Sequence, residues 1–201
     1  MKLSDTIRIR LTGRGGQGIM LAGAILADAA MRDGRQVTET QEYGPEARLG
    51  ATRADVILSD RPIAFPEVEQ ADILLCLSRG GWLKYGTQVA SGALRLVDVT
   101  AVAREPGDPE VRSFPWRARA RELGDEVVTN MMALGTLQAV TQVVSVKSLR
   151  EVLQERIKPA LVAANLAAFD EGVNLGREEL SAPDVATAGR NAGSQGGEIH
   201  D

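Results

Sequence analysis

Leu11-Thr-Gly-Arg-Gly-Gly-Gln-Gly-Ile-Met-Leu-Ala-Gly23 is the stretch that decides the fold. Before it, Ile7-Arg-Ile-Arg-Leu11 alternates apolar and charged residues, the period-two pattern of a strand. After it, Ile19, Ala22, Ile25, Leu26 and Ala29 recur at steps of three and four, the pattern of a helix. Between them lie Gly13, Gly15, Gly16 and Gly18. A glycine-rich strand-to-helix turn aims the free N–H groups of the first helical turn at whatever lies above it. The helix dipole favours an anion there. Two readings stay open at this point: the turn binds a phosphate-bearing ligand, or it is a packing device that binds nothing. Gly13, Gly15 and Gly18 also form G-x-G-x-x-G, with Glu39 about twenty residues further on, the outline of a nicotinamide dinucleotide site.

The rest of the chain alternates strand and helix signals. Residues 36–42 and 52–59 read as strands. The nearly continuous apolar runs at 71–77 and 93–99 suit strands buried on both faces. Residues 126–129 read as a further short strand. Helices are expected at 17–32, ending near Gly34, at about 82–88, at 116–123, from Asn130 to 143, from Ser148 to 157, and from Pro159 to 175, with Asn130 and Ser148 as caps. Residues 43–50 and 104–115, rich in Gly, Pro and charge, read as exposed connections. This order predicts an α/β, Rossmann-like fold: a mostly parallel sheet flanked by helices, with a helical C-terminal part. Residues 1–180 are expected to form one domain, and 181–201 a flexible tail.

Composition narrows the function. A chain of 201 residues needs no disulfide or metal to hold a core. Aromatics make up only 3%, so Ala, Val, Leu and Ile must fill that core. A net charge of −4 without a basic cluster argues against nucleic acid. The single cysteine, Cys76, sits in an apolar run and reads as a buried structural thiol. The single histidine, His200, lies at the end of the chain. One Cys and one His leave no cluster of metal ligands and no His-based acid–base pair. No apolar run suits a membrane span and no signal peptide is evident, so the expected location is the cytoplasm.

Taken together, Gly13-Arg-Gly-Gly-Gln-Gly18, Tyr43-Gly-Pro-Glu-Ala-Arg48 and Ala51-Thr-Arg-Ala-Asp-Val-Ile-Leu-Ser59 resemble the gamma subunit of 2-oxoacid:ferredoxin oxidoreductases. Phe65-Pro66, Ala71-Asp-Ile-Leu74 and Asn130-Met-Met-Ala-Leu-Gly135 fall where that family has matching pieces. The similarity spans about residues 7–176, and the Tyr-Gly-Pro-Glu-Ala-Arg form is most similar to the 2-oxoglutarate branch. One departure is Leu49, where the family commonly carries glycine.

The resemblance implies CoA-dependent oxidative decarboxylation of a 2-oxoacid, performed with alpha and beta subunits, in some members also a delta subunit, and delivering electrons to ferredoxin. Such complexes use thiamine diphosphate with Mg²⁺, Fe–S clusters and coenzyme A. None of these is expected on this chain alone, except coenzyme A at Gly13, Arg14, Gly15, Gly16, Gln17 and Gly18. No catalytic residue is assigned to the chain. Tyr43, Gly44, Pro45, Glu46 and Arg48 are expected to form a contact between subunits, the alternative being a solvated loop with local ion pairs. A homodimer of the chain is a further option. A self-contained nicotinamide- or adenine-nucleotide-binding protein is the alternative function, although the nicotinamide enzyme would need an acid–base group that the chain does not offer.

Overall fold

The computed structural model describes residues 5–42, 50–102 and 111–181. In chain order the elements are β1 (Thr6–Arg14), α1 (Ile19–Arg32), β2 (Gln36–Glu42), β3 (Ala51–Ser59), β4 (Ala71–Cys76), α2 (Arg79–Tyr85), β5 (Val89–Asp98) and β6 (Val111–Phe114). They are followed by α3 (Trp116–Glu122), a 3₁₀ turn (Glu126–Val128), α4 (Thr129–Thr141), α5 (Val146–Arg156) and α6 (Pro159–Ser181). The six strands form one sheet in the order β2-β3-β1-β4-β5-β6.

The sheet is mixed. β1, β4, β5 and β6 pair in parallel, whereas β3 runs antiparallel to both β1 and β2. The connection from β2 to β3 is too short for a parallel crossover, which needs a dozen or more residues, so β3 turns back beside β2. α1 carries the chain from β1 over to β2 and leaves one slot between them, which β3 fills.

Alternation along β1 divides the core. Ile7, Ile9 and Leu11 join Ile25, Leu26, Ile73, Leu75 and the C-terminal helices on one face. On the other face Ile57, Leu74, Cys76 and Val97 pack with Val68 and Val89. Arg10 also points to this second face and is completely buried. It sits opposite Asp55 in the β1–β3 register. Its Nε and Nη2 donate to the two Asp55 carboxylate oxygens at 2.8 Å each. Nη1 donates to Gln88 Oε1 at 2.9 Å, and Nη2 also to the Val68 carbonyl. The Tyr85 ring lies 5.4 Å from the guanidinium, covering it.

Every residue of α4 except Val140 is buried. It fits because α6 approaches backbone to backbone: a Cβ on Gly172 would stand 1.9 Å from the Met132 carbonyl oxygen. Trp116 at the start of α3 is fully buried, stacks on Phe114 at 5.2 Å and donates its indole N–H to Thr136 Oγ1 at 2.9 Å.

Several local expectations change. Residues 111–114 are a strand, β6, not part of an exposed connection; Val111 and Phe114 point into the core and the rest is an edge. Residues 126–128 form a 3₁₀ turn, not a strand, because the Asp125 carboxylate accepts from the Val127 N–H at 2.9 Å and winds the chain directly into α4. Asn130 therefore lies inside the first turn of α4 and does not cap it. Ser145 caps α5 instead of Ser148, accepting the Ser148 N–H at 3.0 Å. Asp33 takes hydrogen bonds from both serines, which fixes that choice. The last helix extends to Ser181, the first residue of the expected tail; the rest of that tail, 182–201, lies outside the described residues.

Gly172→Ala is expected to lower the thermal midpoint by about 3–10 °C, since overpacking of this kind costs about 1–3 kcal/mol. Gly80→Ala, with nothing within 4 Å of its Cβ position, is expected to leave the midpoint nearly unchanged. Differential scanning calorimetry of the two variants checks both.

Candidate functional site

The parallel register sets Thr12 beside Cys76 and Cys76 beside Val97, so β1, β4 and β5 end together. In sheets of this kind ligands lie outside the carboxyl ends of the strands. Gly13 is the penultimate residue of β1, opposite Thr52 on β3. Arg14-Gly-Gly-Gln17 then forms a β-turn, closed by the Gln17 N–H donating to the Arg14 carbonyl at 3.1 Å. Gly16 has φ +88°, the sign that a type II turn demands at its third position. Gly18 caps α1 with φ +68°. Its carbonyl accepts from Asn130 Nδ2 at 3.1 Å, and a Cβ here would stand 2.2 Å from that nitrogen.

Gln17 is committed to the protein. Its Oε1 accepts the Arg14 N–H at 2.6 Å and its Nε2 donates to the Leu77 carbonyl at 3.4 Å. Arg117 Nη2 donates to the same carbonyl at 3.3 Å. The glycine turn, the end of β4 and the start of α3 are thereby tied to one oxygen. Asp98, fully buried at the end of β5, accepts from the backbone N–H groups of Thr100 and Arg117 at 2.9 Å each and so fixes where α3 begins.

Two pockets flank Arg14. One, of about 360 Å³, lies over Gly15, Gly16 and Gln17 and is walled by Glu126, Val127 and Thr129. The other, of about 240 Å³, is lined by Arg14, Ala51, Ser78, Arg79, Gly80, Thr100 and Arg117. Arg14 and Arg79 are exposed and have no carboxylate partner among the described residues. Arg117 pairs with Glu126 at 3.0 Å. The edge is thus rich in guanidinium groups suited to oxyanions. Arg79, Arg117, Ser78 and Thr100 were not foreseen from the sequence. The signal for Arg79 is its place directly after a buried strand; Arg117 becomes visible only once β6 is recognised.

The expected interface residues Tyr43, Gly44, Pro45, Glu46 and Arg48 lie outside the described residues. Their flanks are described. The chain leaves β2 at Glu42, opposite Arg53, and enters β3 at Ala51, opposite Arg14. Glu42 pairs with Arg53 at 2.9 Å and with Lys84 at 3.3 Å, and accepts from the Tyr85 hydroxyl at 3.4 Å. Partial burial pushes its carboxyl up, but these cationic neighbours outweigh that and hold it below the usual range.

Two remaining candidates are resolved. Glu39 lies on β2, with β3 between it and β1, and is level with Ile9 through Val56, well below the turn. A ribose-binding carboxylate would have to sit next to the first strand at its carboxyl end, so the nicotinamide geometry is not formed. Cys76 is buried, and burial lifts its thiol to about 12, as for a structural thiol. Among the described residues no helix is long and apolar enough to cross a membrane.

Comparison with known proteins agrees with this architecture. The family model for pyruvate ferredoxin/flavodoxin oxidoreductase matches residues 8–175. The 2-oxoglutarate synthase subunit KorC of Methanocaldococcus jannaschii is 38% identical over 175 residues, covering 85% of this chain and 94% of that protein. The KorC of Archaeoglobus fulgidus is 38% identical over 172 residues, 85% and 88% of the two chains. The crystal structure of the keto/oxoacid ferredoxin oxidoreductase gamma subunit from Geobacter sulfurreducens superposes with TM-score 0.77 at 36% identity, covering 86% of this chain and 97% of that one.

The contact between Gly18 and Asn130 is testable by a double-mutant cycle. Gly18→Ala combines left-handed strain with a clash and is expected to destabilise by about 1–3 kcal/mol. Asn130→Ala removes the clashing nitrogen, so the double variant should be more stable than the sum of the singles predicts, by about 0.5–2 kcal/mol in urea unfolding.

Proposed function

The chain belongs to the pyruvate ferredoxin/flavodoxin oxidoreductase family, as a gamma-type subunit of a 2-oxoacid:ferredoxin oxidoreductase, and we propose that it serves a 2-oxoglutarate enzyme by holding coenzyme A phosphate at the edge around Arg14. The observation that carries this is the position of Arg14, shared by both pockets at the carboxyl ends of β1, β4 and β5. Phosphate groups suit that edge, because guanidinium groups offer paired N–H donors to their oxygens. Gln17 shapes the turn instead of touching the ligand, because both ends of its amide already have protein partners.

When bound in the assembled enzyme, coenzyme A supplies the thiol that accepts the acyl group. Thiamine diphosphate, Mg²⁺ and Fe–S clusters belong on the alpha, beta and, where present, delta chains in this reading, and ferredoxin docks on that complex. One buried thiol cannot ligate a cluster. What Arg14, Arg79 and Arg117 contribute is orientation and charge neutralisation. Tyr43, Gly44, Pro45, Glu46 and Arg48 are assigned in this reading to a contact with a partner subunit; of their described flanks, Ala51 lies opposite Arg14 at that edge. The choice of 2-oxoglutarate is supported by the Tyr-Gly-Pro-Glu-Ala-Arg form and by the KorC relatives at 36–38% identity, against 28% for the ketoisovalerate oxidoreductase subunit VorA of Methanothermobacter thermautotrophicus. A cytoplasmic setting fits the reduced thiol.

In the assembled enzyme, Arg14→Glu should raise the KM for coenzyme A by roughly 10- to 100-fold, the worth of a charge-assisted hydrogen bond. The KM for 2-oxoglutarate should stay constant. Steady-state kinetics decides: an unchanged KM for coenzyme A rejects the reading.

A further inference from the structure

Glu126 occupies a position that the coenzyme A reading does not use. It lines the larger pocket together with Arg14 and the glycine turn. Its Oε1 lies 3.0 Å from Arg117 Nε, and Arg117 is one of the residues lining the smaller pocket. Its Oε2 lies 2.7 Å from Arg121 Nη2, on the outer side of α3. The carboxylate therefore lines one pocket, is paired with a residue that lines the other, and holds a second cation besides.

We propose that Glu126 is a built-in competing anion, which repels phosphate from the larger pocket, directs it to the pocket lined by Arg14, Arg79 and Arg117, and sets how tightly it is held there. The chemistry follows from the donors. Arg117 uses Nε on Glu126 and one Nη2 hydrogen on the Leu77 carbonyl, which leaves N–H groups for a ligand oxygen. A ligand phosphate competes with Glu126 for the same guanidinium, so part of the binding energy is spent on loosening that pair. Arg121 keeps Glu126 paired throughout, so the exchange leaves no bare carboxylate. The same carboxylate faces any anion lodged over Gly15 and Gly16 and disfavours it. The ligand class is a phosphate ester or diphosphate. The inference rests on the same pocket as the coenzyme A reading, and a simple diphosphate tests it separately.

The experiment is calorimetric titration of the full chain with pyrophosphate at low ionic strength. Glu126→Gln is expected to tighten binding by roughly fivefold, a modest gain because the group is partly exposed. Arg79→Ala is expected to weaken binding at least as much, and to remove most of the gain from Glu126→Gln when the two are combined. Glu122→Gln, which neutralises an exposed carboxylate paired with Arg119, is the control for net charge and should change nothing. Absence of pyrophosphate binding in the unaltered chain, no tightening in Glu126→Gln, or equal tightening in Glu122→Gln would each overturn the proposal. Because Glu126→Gln keeps the shape of the side chain, its thermal midpoint separates a folding effect from a charge effect. If pyrophosphate binding follows Glu126 while the KM for coenzyme A ignores Arg14, this inference stands and the coenzyme A reading falls.

Discussion

The buried pair of Arg10 and Asp55 is the constraint on which the arrangement depends. Arg10 is 0% exposed and Asp55 2%, so neither charge has water to fall back on. Loss of Asp55 leaves the Arg10 guanidinium in the core without its carboxylate, which costs about 3–5 kcal/mol; Asp55 has a second cation in Arg53 at 3.6 Å. The pair is bidentate and joins residues directly opposite in the β1–β3 ladder, so a slip of one residue would break it and turn every β3 side chain to the wrong face. From this one register follow the position of Ala51 opposite Arg14 and the return of the chain to the carboxyl edge after residues 43–49. The remaining donors of Arg10 pull Gln88 and the Val68 carbonyl onto the second face of the sheet, and Tyr85 closes over it.

The glycine turn is built by the same kind of mutual dependence. Gly16 supplies a turn conformation and Gly18 a left-handed cap against which Asn130 rests. Gln17 links the turn to Leu77, and Leu77 links it to Arg117. A dinucleotide fingerprint and this turn share their glycine spacing because both must pass from strand to helix in a few residues. They part at the next strand: here an antiparallel strand occupies the place where a nicotinamide fold has its second parallel one. The family match and the gamma-subunit structure have the same consequence for function, since this chain is one part of a larger oxidoreductase.

Much of this was legible in the residues. The period-two and 3.6-residue patterns around Leu11–Gly23 place β1 and α1 correctly, and the apolar runs at 71–77 and 93–99 mark the central parallel strands. What escaped depended on distant partners. Residues 111–114 carry Arg112 and Ser113 between two apolar residues, too short a signal until β5 offers a ladder. Val127 and Val128 look like a strand until Asp125 hydrogen-bonds its own backbone. Ser148 reads as the cap of α5 until Asp33, arriving from the end of α1, accepts from both Ser145 and Ser148 and the helix starts after Ser145. At the site the glycine turn was visible because its chemistry is local, whereas Arg79 and Arg117 come from separate strand ends and meet Arg14 only when the sheet is assembled.

The central claim is that the carboxyl edge of the sheet, where Arg14, Arg79 and Arg117 meet, is the surface this subunit turns toward its partner chains and their chemistry. Hydrogen exchange of the chain alone and within the assembled oxidoreductase tests it most directly. Slowed exchange in the assembly at Arg14–Gly18, Ser78–Gly81 and Arg117–Thr129 is the predicted result. Protection confined to the opposite end, around Asp33, Val144 and Leu180, with that edge exchanging as in the free chain, would contradict it.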